Sequence, residues 1–242
     1  MKVQSNIKIG HSPNCILIIF FLFLKENRIF AAYFNNRLIN RKIMWIVCAD
    51  LEGVFTPEIW INVAKKTGID KLKLTTRDVK DYDELMQYRL QVLDEYNLKL
   101  KDIQQVIGTL QPLDGALDFV RWLRRTTCFV IVSDTFIEFA QPLMDQLENP
   151  MLLCHSLEVD ASGRITNYRL RQPDAKRMTI EAFRSLNYQT LAFGDSYNDI
   201  SMLKAADVGV LFCPPVQVVT DYPELPVTRS IPELKSFMQA YL

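Results

Sequence analysis

From position 45 onward, short apolar runs without alternation recur along the chain, each followed by polar residues and then by a longer amphipathic stretch. WIVCA (45–49), CFVIV (128–132), TLAFG (190–194) and VGVLF (208–212) are the clearest of these runs. Their length and lack of alternation suit strands buried on both faces, and helical stretches between such strands predict a parallel sheet covered by helices. The segment between the first two runs, about 57–126, is mainly helical in pattern. Thr56-Pro57 offers an N-cap followed by a proline at the first helical position, and Gly68 closes that helix. Asp81 to Tyr96 makes a second helix and 99–110 a third. An insertion this long between two strands that should be neighbours predicts a helical cap over the sheet. LEVDASGRITNY (157–168) alternates about an Asp-Ala-Ser-Gly turn and predicts a β-hairpin. Neither an internal repeat nor a linker interrupts the pattern.

The polar residues fall where such a fold would use them. Three runs end directly in acids or hydroxyls: Asp50-Leu51-Glu52-Gly53, Ser133-Asp134-Thr135, and Gly194-Asp195-Ser196-Tyr197-Asn198-Asp199. In open α/β sheets the carboxyl ends of the strands form the ligand crevice, so these three ends should converge. Asp50, Glu52, Asp195 and Asp199 would then repel one another unless a cation or proton shifts intervene. An all-oxygen donor set favours Mg²⁺, which keeps several waters and binds phosphate oxygens. An aspartate beside that ion can attack phosphorus and carry the phosphoryl group covalently. A single acid at a strand end is usually a helix N-cap; three in order are a stronger signal.

Composition narrows the classes. The chain has 242 residues with 28 basic and 28 acidic side chains, so it lacks the basic excess of a nucleic-acid footprint. Two histidines leave little room for a His-rich site, and five cysteines without a C-x-x-C pair suit a reduced, intracellular (cytoplasmic) protein. The balance conceals an asymmetry, because residues 1–43 carry seven Lys/Arg and one acid. That segment holds the run CILIIFFLFL (15–24), shorter than the roughly 20 residues that span a bilayer. A basic start before such a run resembles a signal peptide, but nothing after it suggests secretion and no A-x-A pattern lies near Ala31 and Ala32. Met44 stands immediately before WIVCA, so the expectation is a start at Met44, with 1–43 outside the fold and 44–242 a folded domain. An anchor or signal is the second reading, and a membrane association is not expected.

DLEGV (50–54), Ser133 after CFVIV, Lys176 and GDSYND (194–199) occur in the order of the four motifs of the haloacid dehalogenase-like phosphatase superfamily, which the chain resembles. Two departures stand out: Glu52 and Val54 where Asp and Thr are usual, and Ser-Asp-Thr where phosphoserine phosphatases commonly have Ser-Gly-Gly. Both look like the branch of bifunctional phosphoserine phosphatase/homoserine phosphotransferase proteins, and the likeness runs over 44–242 through PEIW, TTRD, LQPL, SDTF, QPLM, LLCH and GDSYND. The resemblance implies a Rossmann-like α/β core with a helical cap after the first strand. It also implies an Mg²⁺-dependent enzyme acting on phosphoserine and homoserine, with no nucleic-acid partner and a homodimer left open. By position, Asp50 would be the nucleophile and a metal ligand. Glu52 would be the general acid and base, its carbonyl also on the metal. Asp195 would be the remaining protein ligand, with Asp199 supporting it. Ser133, the Asp134 N–H and Lys176 would hold the phosphoryl oxygens, Asn198 would contact phosphate or substrate, and Glu58 and Arg89 would take the substrate's ammonium and carboxylate.

Arg89 has support of its own. Tyr82, Leu85, Met86, Leu93 and Tyr96 form one helical stripe with Arg89 in its middle, where an unpaired cation would be costly to bury. A ligand carboxylate explains its place; an internal pair with a cap acid is the alternative. Glu58 by itself would merely favour a helix N-terminus, Lys176 would be a solvated lysine, and His155 reads as structural. A phospho-acceptor signalling module also uses a strand-end Asp, a Ser/Thr and a Lys, but the cap and Glu52 argue against it. Within the enzyme class the rival is a family phosphatase for another small phosphorylated metabolite.

Overall fold

The apolar runs form the centre of a seven-stranded sheet of order β4-β3-β2-β1-β5-β6-β7. In the computed structural model, residues 44–242 are described except 76, 77 and 80. The expectations for 1–43 lie outside the described residues. The strands are β1 (Trp45–Ala49), β2 (Cys128–Phe136), β3 (Leu152–Val159), β4 (Ile165–Arg169), β5 (Gln189–Gly194), β6 (Val208–Phe212) and β7 (Val227–Thr228). Six run parallel, and β4 pairs antiparallel with β3 as the expected hairpin.

Strand alternation sorts the core into two layers. Val47 and Ala49 of β1 pack with Phe119, Val120 and Leu123 of α4 (Ala116–Thr126) and with Leu234 and Met238 of α9 (Ile231–Met238). Ile46 and Cys48 point the other way, onto Ile180 of α6 (Ala175–Ser185) and onto Met202 and Leu203 of α7 (Ile200–Ala205). The side chains of β1 beyond Trp45 are therefore buried on both faces, as a continuous apolar run requires.

A third apolar cluster belongs to the cap. Its helices are α1 (Ile59–Thr67), α2 (Tyr82–Glu95) and α3 (Leu100–Ile107). Ile59, Val63, Met86, Leu93, Ile103 and Ile107 pack there against Phe139 and Leu143 of α5 (Ile137–Gln146) and against Leu157 and Ile165 of the hairpin. The remaining short helix is α8 (Val216–Asp221).

The structure corrects several boundaries. α4 lies within 57–126 but packs on the sheet rather than in the cap cluster, as the crossover between β1 and β2. The first cap helix begins at Ile59, not at Pro57. Thr56 lies two residues before the N-cap, Glu58, held in the preceding turn where its N–H (3.1 Å) and its hydroxyl (3.4 Å) donate to the Leu51 carbonyl. Gly68 closes that helix in the left-handed conformation, φ 73°. The third helix stops at Ile107 rather than 110. Tyr96 is 46% exposed at the end of α2 and does not join the buried stripe. β2 continues past the apolar run to Phe136, carrying Ser133, Asp134 and Thr135 within the strand.

Candidate active site

Register brings the three polar strand ends together. Ala49 lies opposite both Ile131 and Phe193, so the residues just beyond these positions, Asp50, Ser133 and Asp195, come from three adjacent strands. The Asp50 N–H still donates to the Phe193 carbonyl at 3.1 Å, which fixes the first residue after β1. The loop then folds over Gly53, whose φ of 76° favours glycine and whose added Cβ would lie 2.7 Å from the Asp195 carboxyl. Gly194 is equally constrained, since a Cβ there would lie 2.3 Å from the Asp199 carboxyl carbon.

Lys176 lies at the start of α6, buried to 2% exposure rather than solvated. Its Nζ stands 2.7 Å from Asp199 Oδ1, 2.9 Å from Asp50 Oδ1 and 3.6 Å from Asp134 Oδ2. Burial by itself would lower the ammonium's pKa, but the Asp199, Asp50 and Asp134 carboxylates outweigh it and hold the pKa well above the ordinary value. Asp50 is pushed up by burial and by Asp199 and Asp195, with Lys176 opposing. Asp199 is fully buried, and its other oxygen accepts from the Asp195 and Ser196 N–H groups at 3.0 Å each. Asp50, Asp195 and Asp199 each place a carboxylate oxygen within 4.8 Å of the others, a donor set that suits a hard divalent cation. Asp199, already engaged on both oxygens, suits a supporting part in it.

Glu52 occupies the seam between sheet and cap. Its Oε2 accepts from the Ile59 N–H at 2.7 Å, so the open N-terminus of α1 holds the carboxylate. Burial and then Glu58 push its pKa up to about 7, against the Ile59 N–H, Arg89 and the Thr135 hydroxyl. Thr135 is therefore a site residue that the sequence reading missed, although the Ser-Asp-Thr departure was its visible signal. Its own N–H donates to Ser133 Oγ at 3.3 Å.

The cap supplies a cation and an aromatic wall. Arg89 is buried, with its guanidinium carbon 4.6 Å from the centre of the Trp60 ring. One terminal nitrogen donates to the Leu74 carbonyl at 2.9 Å, while Nε is buried without a hydrogen-bond partner. Burial lowers its pKa to about 10, opposed by Tyr82, Glu52 and Glu58, so it stays cationic at neutral pH. A cavity of about 220 Å³ is lined by Asp50, Glu52, Ser133 and Asp195 from the strand ends and by Glu58, Trp60, Tyr82 and Arg89 from the cap. Glu58 is exposed at its rim. Asn198 donates to Asp134 Oδ2 at 3.0 Å, tying the loop after β5 to β2. His155 and Tyr82, which the sequence reading gave no part in the site, both contact Asp134.

Among the described residues, no helix is long and apolar enough to cross a membrane. Residues 28–207 match the model of the haloacid dehalogenase-like hydrolase family. Phosphoserine phosphatase ThrH of Pseudomonas aeruginosa is 56% identical over 198 residues, covering 81% of this chain and 97% of that protein. A phosphoserine phosphatase of Pseudomonas syringae pv. tomato is also 56% identical over 190 residues, covering 78% of this chain and 80% of its own length. A crystal structure of an apo phosphoserine phosphatase is 19% identical, with a TM-score of 0.65 over 83% of this chain and all of that one, and it shows the shared fold. With the family model spanning most of the chain, relatives at this identity and the motif acids that follow β1 and β5 brought together beside Lys176, the chain belongs to the haloacid dehalogenase-like hydrolases.

Proposed function

We propose that the protein is an Mg²⁺-dependent phosphoserine phosphatase that works through an aspartyl-phosphate and also passes the phosphoryl group to homoserine. The observation that carries this reading is a cavity of about 220 Å³ that joins Asp50 and Ser133 to a buried Arg89 whose Nε lacks a partner. One wall suits a phosphoryl group, and the other suits the carboxylate of an amino acid, whose ammonium Glu58 would meet at the rim. The 56% identity to two proteins named phosphoserine phosphatase supports the same substrate.

Asp50 Oδ attacks phosphorus while the bond to the serine oxygen breaks, and Glu52 gives its proton to the departing alkoxide. A carboxyl with a pKa near 7 is suited to donate here and then to accept a proton from the next nucleophile. That nucleophile is water, which releases phosphate, or the hydroxyl of homoserine, which yields the phosphorylated acceptor. Asp50 and Asp195 with the Glu52 carbonyl would hold Mg²⁺, oriented by Asp199. The ion supplies charge neutralisation at the phosphoryl oxygens. Lys176, Ser133 and the Asp134 N–H neutralise and orient the same oxygens, and Asn198 completes that edge.

The test uses the full chain with phosphoserine and Mg²⁺, with and without homoserine, following phosphate and phosphohomoserine. Phosphate release abolished by a chelator and by Asp50→Asn is the expected result, and phosphohomoserine marks the transfer. Turnover of other small phosphoesters with none of phosphoserine would overturn the substrate assignment.

A further inference from the structure

Asp134 sets a problem that the catalytic scheme leaves unsolved. It stands beside Ser133, where a phosphoryl group must bind, and a carboxylate there would repel that group. Its pKa is nevertheless low: burial would raise it, but Lys176, His155 and Asn198 together draw it well below the usual carboxylate range. The acid is thus kept ionised and turned into internal contacts. Oδ2 accepts from Asn198 and faces Lys176. Oδ1 faces His155 Nε2 across 3.5 Å, and the backbone carbonyl accepts from the Tyr82 hydroxyl at 3.1 Å.

His155 is built for this contact. It is 5% exposed on β3, a strand that contributes none of the motif residues. Its Nδ1 accepts the Arg171 backbone N–H at 3.0 Å, so the imidazole must carry its hydrogen on Nε2 when neutral, pointing at Asp134. The Phe136 ring, 6.3 Å away between centroids, packs beside it. His155 does not line the cavity that holds Asp50; it lines an adjoining one of about 920 Å³ with Asp134, Lys176 and Asn198, and Asp134 is the residue that links it to the Asp50 cavity.

We propose that His155 is a positioning residue for the phosphoryl site: by holding Asp134 Oδ1, it aims Oδ2 at Lys176 and Asn198 and keeps the carboxylate off the incoming phosphate. The proposal rests on the phosphatase reading of the cavity. It explains why an acid can stand at a position where the resembling phosphoserine phosphatases commonly carry glycine. It also makes a distinctive demand, namely that His155 matters only while Asp134 is an acid.

The experiment compares full-length His155→Gln, His155→Asn and His155→Leu, each with and without Asp134→Gly. Inorganic phosphate binding is measured by calorimetry with Mg²⁺, alongside kcat for phosphoserine and the preference for phosphoserine over phosphoethanolamine. The Gln amide can reach the Nε2 position and should keep phosphate affinity within about threefold of the parent, whereas the Asn amide reaches only the Nδ1 position. The Asn and Leu variants should bind phosphate roughly 10- to 100-fold more weakly, the range expected for losing a hydrogen bond to a charged group. Their preference for phosphoserine should not move, because Arg89 is untouched. In the Asp134→Gly background the same substitutions should have little effect. Equal affinity in the Gln and Asn variants, or an undiminished loss when Asp134 is glycine, would overturn the proposal, and the polar pair decides even if the Leu variant does not fold. If the parent binds phosphate but hydrolyses no phosphoserine, the substrate reading fails while the phosphate data still judge His155.

Discussion

Replacing Lys176 by methionine removes a cation that, alone among the described residues, touches Asp50, Asp134 and Asp199 together, and the outcome separates charge from packing. Methionine retains much of the side-chain volume, so the cavity term is small and the electrostatic term dominates. Lys176 stands 2.7 Å from Asp199, which is fully buried, and 2.9 Å from Asp50, which is 4% exposed. Removing one partner from such a buried arrangement costs about 3–5 kcal/mol, because the remaining charges stay desolvated and unpaired. At about 2–4 °C per kcal/mol for a domain of this size, the metal-free protein should melt roughly 6–20 °C lower. Losing one preorganised positive group at the transferring phosphoryl should lower the rate of phosphoenzyme formation about 10²- to 10³-fold. The assay is thermal denaturation in chelator, paired with single-turnover labelling of Asp50 well below the melting point. Adding Asp199→Asn should return a good part of the lost stability by removing one stranded charge, without returning the rate. A Lys176→Met protein that melts within about 2 °C of the parent and labels at a comparable rate would refute the view that these carboxylates depend on Lys176.

Glu52 has a pKa near 7, so as pH rises through that value it loses the proton that the leaving alkoxide needs. The phosphorylation rate should therefore fall on the alkaline side of about 7, while dephosphorylation, which needs the base form, should fall on the acid side; Glu52→Gln should remove both limbs and cost about 10²–10⁴ in rate, read by rapid-quench kinetics. Arg89→Met should raise the apparent KM for phosphoserine about 10- to 100-fold and leave phosphoethanolamine, which has no carboxylate, nearly unchanged in steady-state assays. Gly53→Ala forces a side chain into the left-handed region and onto Asp195, 2.7 Å away, so Mg²⁺ affinity measured by titration should weaken while the α/β circular dichroism spectrum persists.

What the sequence made legible and what it concealed divide along a physical line. The parallel strands were readable because burial on both faces leaves an unbroken apolar run, and the motif acids because each follows such a run directly. The start of the first cap helix was not readable from Thr56-Pro57, because Thr56 is held back to Leu51 in the turn after β1 and the N-cap falls at Glu58, so a local turn overrides the capping propensity. That displacement has a consequence for the chemistry. Starting two residues later leaves the Ile59 N–H free to meet Glu52, so the longer acid at this position is held by a helix end. Arg89 could be singled out because a cation in an apolar stripe violates the local pattern, and its buried Nε has no partner, as an intended ligand would require. His155 violates no pattern. A lone histidine in a strand is unremarkable until the fold sets β3 beside β2 and turns Nε2 toward Asp134. Asp50 and Asp195 directly follow apolar strands, and that placement announces them. Residues that act through another side chain are set by sheet order alone, and sheet order is the level at which a single sequence is most nearly silent.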